Sequence, residues 1–195
     1  MNNFIVPAVF SGFAFNLVLK FGLGAREIFE NREHPLTNYL FQWLTMFIAV
    51  FVSWLIFTFI LSPLTLGFFE YFLLFPLTVF LSFSLENMLL VLLPGNLTQH
   101  KGFSAYSSYS GLVLTALILT LRLADTTPDA LILSFGFSSG VFFSIVLLRM
   151  IKIRMKNEKI MPIFSGQPLL LTSMALLSLV FSSIAYITLL YPLSF

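Results

Sequence analysis

The chain has 195 residues, of which 58% are hydrophobic and only 9% are charged. A soluble domain of this size carries about 25% charged residues. Its polar side chains are too few to cover a water-exposed surface, so the composition predicts an integral membrane protein. The net charge of +2 comes from ten basic and eight acidic residues. The basic residues form no patch with interleaved aromatic residues, so nucleic acid is not predicted as a partner. With two histidines and no cysteine, no protein-only metal site is predicted.

Six apolar runs are long enough for a helix across the hydrocarbon core, which needs about 20 residues. We predict spans, in chain order, at residues 4–20, 39–62, 67–93, 105–121, 130–148 and 169–191. In lipid every backbone polar group must be paired within the protein, so only helices or closed barrels can cross. The uncharged second and sixth runs lack the alternation of apolar and polar residues that is typical of barrel strands, so a barrel is excluded. The predicted fold class is therefore all-α integral membrane, with six transmembrane helices.

The basic residues are sorted between alternate connections of these spans. Only Arg122 lies in the fourth connection, and the second has none. The other nine lie in the first, third and fifth connections: Lys20, Arg26, Arg32, Lys101, Arg149, Lys152, Arg154, Lys156 and Lys159. Cytoplasmic loops of membrane proteins carry the excess of lysine and arginine. We therefore expect the three basic connections to face the cytoplasm and both termini to lie outside.

Spans one to three and spans four to six then cross the membrane in opposite senses. This predicts a single membrane domain built as an inverted 3+3 repeat, with residues 1–98 and 99–195 as its two halves. The leading span of each half is short and interrupted by small or polar residues, such as Gly12 and Asn16 in the first and Ser110 and Gly111 in the fourth. Such segments are typical of broken helices around a site at the bilayer midplane.

Two passages resemble a known family. One is residues 136–146, GFSSGVFFSIV, leading to Ile153-Arg154; the other is residues 164–171, FSGQPLLL, followed by 176–181. Both are similar to the fifth and sixth spans of RnfA/NqrE-type membrane subunits of the Rnf and Na+-NQR complexes. Asn16 followed by Lys20-Phe21 is similar to that family's first span. The resemblance covers nearly the whole chain and is strongest over residues 134–181.

The resemblance implies a subunit of an electron-transfer complex that is coupled to Na+ or H+ translocation in the bacterial or archaeal cytoplasmic membrane. In such complexes a related six-helix small subunit is a partner. Each of the two small subunits contributes two cysteines to a shared 2Fe–2S cluster, and other membrane and flavoprotein subunits carry flavins. The family's cysteine positions fall at about Ala25 and Ser110 in this chain. Cluster ligation needs thiolates, so we expect the chain to bind no cofactor and to act as scaffold and ion path.

Three polar residues in the predicted spans are candidates for the ion path. Glu86, in the cytoplasmic part of span three, either relays a cation or proton or lies at the membrane interface. Asn16, in the middle of span one, either coordinates an ion or hydrogen-bonds to a packed helix. Lys20 either reaches the interface as an orientation anchor or contacts a partner subunit or an anionic cofactor.

Two further segments have simpler interpretations. The small residues Ser138, Ser139 and Gly140 favour close packing of another helix. The basic run 149–159 sets topology and attracts anionic lipid, or it docks a cytoplasmic partner.

Two other functions remain open at this point. One is a small secondary transporter or membrane substrate-binding module, which the same repeat would serve. The other is a structural subunit of an assembly without redox function. The sequence contains no Ser-His-Asp set, HExxH motif, P-loop or Gly-rich dinucleotide turn, so we do not expect the chain to be catalytic by itself.

Overall fold

The computed structural model describes residues 5–14, 16–21, 36–64, 69–92, 106–157 and 167–190, and every regular element within these ranges is helical. The α-helices are α1 Ile5–Phe13, α2 Leu17–Phe21, α3 Leu36–Ile56, α4 Phe69–Leu92, α5 Tyr106–Leu123, α6 Thr127–Asn157 and α7 Gln167–Leu190. A π-helical turn, Phe57–Leu61, and a 3-10 turn, Ser62–Leu64, extend α3. The predicted all-α class is confirmed for these ranges.

Three of the described helices are long and apolar enough to cross a membrane. Their apolar stretches are Tyr39–Leu61, Thr127–Arg154 and Pro168–Ile187, and shorter apolar helices lie at Phe72–Leu85 and Gly111–Leu123. Large apolar side chains also point outward, for example Phe72, which is 76% exposed, and Leu179, which is 67% exposed. Water-facing surfaces rarely show such contiguous apolar area. The prediction of a membrane protein is therefore confirmed to this extent.

The central helix is α6. It contacts α1, α2, α3, α5 and α7, and 56% of its apolar stretch is buried, against 28% for α3 and 22% for α7. Its residues Phe137 and Val141 lie in the main core with Val18 of α2, Val50 of α3 and Val113 of α5. Position within the bundle explains why α6 bears the small residues that let its neighbours approach.

The start of α6 is fixed by local chemistry. The Asp129 amide donates to Thr126 Oγ1 at 3.4 Å, and the Thr126 hydroxyl donates to the Asp129 carboxylate. The first bond is one half of a helix-capping box, and the Asp129 carboxylate pairs with the capping hydroxyl instead of the Thr126 backbone amide. Pro128 lies in the first turn, where its missing N–H costs nothing.

The end of α6 lies beyond the prediction. The predicted fifth span stops at residue 148, but the helix runs for 31 residues to Asn157. Residues 149–157 are rich in arginine, lysine and methionine, which are good helix formers, and include no glycine or proline that would end the helix. The predicted span therefore covers only part of this helix, whose apolar stretch runs from Thr127 to Arg154.

The two leading spans differ from each other. The first is interrupted between α1 and α2, as predicted. The fourth, α5, is an unbroken helix of 18 residues from Tyr106 to Leu123, through Gly111. Over this range the helix predicted as the fourth span is short rather than broken, because one glycine within a helix costs only about 1 kcal/mol.

Candidate functional site

The interruption of the first span is centred on Asn16. Helix α1 ends at Phe13 and α2 begins at Leu17. The Asn16 side-chain oxygen accepts a hydrogen bond from the backbone amide of Leu19 at 3.1 Å. This places Asn16 at the N-cap of α2, the position that asparagine favours because its side chain pairs an amide that has no partner within the helix. A capping residue in the middle of an apolar run therefore divides it into two helices.

The same asparagine joins the break to the central helix. Its amide nitrogen donates to the carbonyl of Gly12 at 3.2 Å and to the carbonyl of Gly140 on α6 at 2.9 Å. Asn16 is only 3% exposed, so an unpaired amide here would be costly. Both amide hydrogens are used, and the oxygen keeps one further lone pair. One side chain thus connects the end of α1, the start of α2 and the middle of α6.

Glycines allow α1 and α6 to approach closely enough for these bonds. A Cβ placed on Gly140 would lie 2.8 Å from both the Cα and the carbonyl carbon of Gly12, and closer still to the Gly12 oxygen. A Cβ on Gly12 would lie 2.8 Å from the carbonyl oxygen of Gly136. Gly136 and Gly140 are four residues apart and share one face of α6, the spacing of close helix pairs in membranes. The predicted packing role of Gly140 is confirmed.

Hydroxyl groups near this crossing bond to backbone carbonyls. Ser144 donates to the carbonyl of Gly140 at 2.8 Å, so this oxygen receives side-chain donors from both Ser144 and Asn16. Ser138 donates to its own helix at Ser134 O, 2.8 Å away. Ser139 accepts a hydrogen bond from the Trp43 indole of α3 at 3.2 Å. These three serines therefore satisfy buried polar groups within the bundle.

The other predicted site residues cannot be placed as precisely. Ala25 lies outside the described residues. Lys20, Glu86 and Ser110 lie in α2, α4 and α5 respectively, but their side chains are outside the described part. Their roles in an ion path, and the two cysteine-equivalent positions, stay predictions. In the described residues no group of three or more histidine, cysteine, aspartate or glutamate side chains could hold a metal ion.

Sequence reasoning missed a second polar feature, between α3 and α6. The Arg149 guanidinium carbon lies 5.2 Å from the centre of the Tyr39 ring. The sequence places Arg149 in the basic run 149–159, which sets topology and attracts anionic lipid or docks a cytoplasmic partner. The signal available in the sequence is the spacing of Phe142, Ile145 and Arg149, which puts an arginine at the end of an apolar face of one helix. The partner ring on α3 has no signal in the sequence.

Over the described residues the chain is thus all helical, with apolar helices long enough to cross a membrane and with a break between α1 and α2 that is bonded to the central helix α6. A comparison of the sequence with protein-family models finds no match, and a comparison with curated proteins finds none either.

Proposed function

We propose that the chain is a membrane subunit of an Rnf/Nqr-like electron-transfer complex coupled to Na+ or H+ translocation, with a scaffold and ion-path role. The observation that carries the proposal is the bond between Asn16 and Gly140. It joins the segment that resembles the family's first span to residues 136–146, where the resemblance is strongest. The residues of the resemblance thus meet at one place in the fold. The proposal includes six spans in an inverted repeat, with both termini outside.

The side chains of this chain do not fit an iron–sulfur cluster. Such clusters are held by cysteine thiolates, and the chain has no cysteine. Alanine at position 25 has no ligand atom, and a serine hydroxyl at position 110 is a poor substitute for a thiolate. Flavins, and any cluster, would therefore belong to a related six-helix subunit and to flavoprotein partners. No electron-transfer step is assigned to this chain.

The broken first span supports the ion-path part of the proposal. A helix end leaves carbonyl groups without intrahelical donors, and the amide of Asn16 pairs with one of them, the carbonyl of Gly12. Non-helical backbone at membrane depth is tolerated where it is buried in protein or lines a cavity. Carbonyl and amide oxygens at such breaks are the groups that coordinate cations in transporters. Lys20 and Glu86 remain the other candidates for this path.

The same observation favours a second candidate, a small secondary transporter or membrane substrate-binding module. Transporters place discontinuous helices at their substrate sites, and this fold has one at Asn16. The two candidates differ in their partners rather than in the fold of this chain. A third possibility, a structural subunit of a non-redox assembly, differs from the first in cofactor content.

The test is isolation of the tagged chain from its native membrane in a mild detergent, followed by identification of the subunits and assay of flavin, iron and acid-labile sulfide. We expect a related six-span subunit, flavoprotein subunits and bound flavin. The chain purified alone would contradict the proposal, as would an ATPase or a solute-binding protein as its partner. A stable assembly without flavin or iron would instead identify a non-redox structural subunit. An unrelated tagged membrane protein is the control for carry-over.

A further inference from the structure

A crevice lies between α3 and α6, on the side of α6 away from the broken first span. The crevice is open to its surroundings, with about 230 Å³ of space along it, and its lining includes Tyr39, Trp43 and Met46 of α3 and Val141, Phe142 and Ile145 of α6. The lining is almost entirely apolar, with polar groups from Gln42 and Ser138. Arg149 follows Ile145 by one helical turn, so it lies at the Tyr39 end of the crevice.

Arg149 has a charged nitrogen that lacks a hydrogen-bond partner among the described residues. The guanidinium lies against the Tyr39 ring at 5.2 Å, which offsets part of its desolvation through the ring's electrostatic attraction for cations. Its Nη1 atom is buried and makes no hydrogen bond among the described residues. A buried cationic donor is costly unless an anion pairs with it. The planar guanidinium matches the geometry of a phosphate or carboxylate.

The position of Arg149 along the helix indicates which anion is at hand. It lies 22 residues after Thr127, the first residue of the apolar stretch of α6. At 1.5 Å per residue this is about 33 Å, close to the roughly 30 Å thickness of the hydrocarbon core. Tyr39 is the first residue of the apolar stretch of α3. The pair therefore lies at one membrane interface, the depth of lipid headgroups.

We propose that this crevice binds an anionic phospholipid. Its phosphate pairs with the partly exposed Arg149 side chain at the Tyr39 end, and one acyl chain lies along Trp43, Met46 and Phe142. The positive charge of Arg149 favours an anionic group, and the apolar lining of the crevice favours a hydrocarbon chain attached to that group. Free phosphate would occupy only the Arg149 end of the crevice. The headgroup of a zwitterionic lipid carries a positive group, which would be repelled by Arg149 and by the exposed Arg154, so such a lipid should bind more weakly. The inference depends on membrane integration and not on the redox role.

The test is binding of phosphatidylglycerol and phosphatidylcholine to the delipidated full-length chain in detergent, measured by native mass spectrometry. We expect the wild type to prefer phosphatidylglycerol by about tenfold or more, the effect of one charge-assisted interaction. Arg149→Gln is expected to lose this preference. The matched control is Arg154→Gln, which removes the same charge from an exposed position of the same helix. It should change the affinity by no more than about twofold, as for exposed charges.

Three outcomes would overturn the proposal. Arg149→Gln could keep the preference, or Arg154→Gln could lose it equally, which would indicate diffuse attraction to a basic surface. Inorganic phosphate could compete fully with the lipid, which would indicate a simple anion site. If Arg149→Gln does not fold, Arg149→Lys is measured instead. It keeps the charge but lacks the planar fork, so the preference should fall several-fold, and an unchanged preference would count against the site.

Discussion

Gly140→Ala is expected to destabilise the protein by about 3 kcal/mol, near the upper end of overpacking effects. The added methyl group would meet the backbone of Gly12, with the Gly12 Cα and carbonyl carbon both at 2.8 Å. Backbone cannot rotate away as the end of a flexible side chain can, so α1 and α6 must separate. Separation would also stretch the bond from Asn16 to the Gly140 carbonyl. The measurement is the unfolding midpoint of the purified protein in a denaturing-detergent titration.

The matched control is Gly111→Ala. Gly111 is also within a helix, but a Cβ there meets no atom within 4 Å. Alanine is favoured over glycine in a helix by about 1 kcal/mol, so this variant should be neutral or slightly stabilising. Equal shifts for the two variants would show that the crossing of α1 and α6 is not as close as described.

The second large effect is expected for Asn16→Ala, at about 3 kcal/mol. The substitution removes two donated bonds and one accepted bond. It leaves the amide of Leu19 without its acceptor and takes one side-chain donor from the carbonyl of Gly12, whereas the carbonyl of Gly140 keeps its bond from Ser144. Each unsatisfied buried group costs about 1–3 kcal/mol, although polar contacts in membranes often contribute less. Asn16→Ser keeps a capping oxygen but cannot reach Gly140, so it should fall between alanine and the wild type.

Ser183→Ala provides the comparison for Asn16. The Ser183 hydroxyl is exposed and donates to its own helix at Leu179 O, 2.9 Å away. Its loss should change stability by no more than about 0.5 kcal/mol. If Asn16→Ala were as mild as Ser183→Ala, the buried amide would not hold the broken span to α6. Of the two interpretations of Asn16, helix packing and ion coordination, only ion coordination would then remain.

The sequence predicts a helix well where the hydrocarbon core of a membrane requires a long, uncharged apolar run. The second predicted span, 39–62, matches the apolar stretch Tyr39–Leu61, and the sixth, 169–191, matches Gln167–Leu190. Long uncharged runs leave no alternative, because lipid excludes unpaired backbone. The helix α6 continues beyond the predicted fifth span to Asn157, because helix formation does not require an apolar side chain.

The partners of the polar residues could not be predicted. The sequence indicates that Asn16 needs a hydrogen-bond partner, but not that the partner is a carbonyl 124 residues away. Likewise, the face of α6 that ends at Arg149 is visible in the sequence, whereas Tyr39 is not recognisable as its neighbour. Periodicity identifies a face of a helix; which helix covers that face depends on the packing of the whole bundle.

The two proposed functions share one requirement, which is therefore the central claim: six spans, with the two halves crossing the membrane in opposite senses. A cysteine-free chain allows a direct measurement with single cysteines and a membrane-impermeant maleimide on intact cells. Ser62→Cys, at the end of the second predicted span, and Thr127→Cys, in the fourth connection, are at exposed positions and report the predicted outside. Asn31→Cys and Asn157→Cys, in the first and fifth connections, report the predicted cytoplasm.

The unmodified chain serves as the blank, and permeabilised cells show that each cysteine can react. We predict that Ser62→Cys and Thr127→Cys are labelled on intact cells, and that Asn31→Cys and Asn157→Cys are labelled only after permeabilisation. Labelling of Ser62→Cys and Thr127→Cys from opposite sides, or of all four from one side, would contradict the inverted six-span architecture and both functions that depend on it.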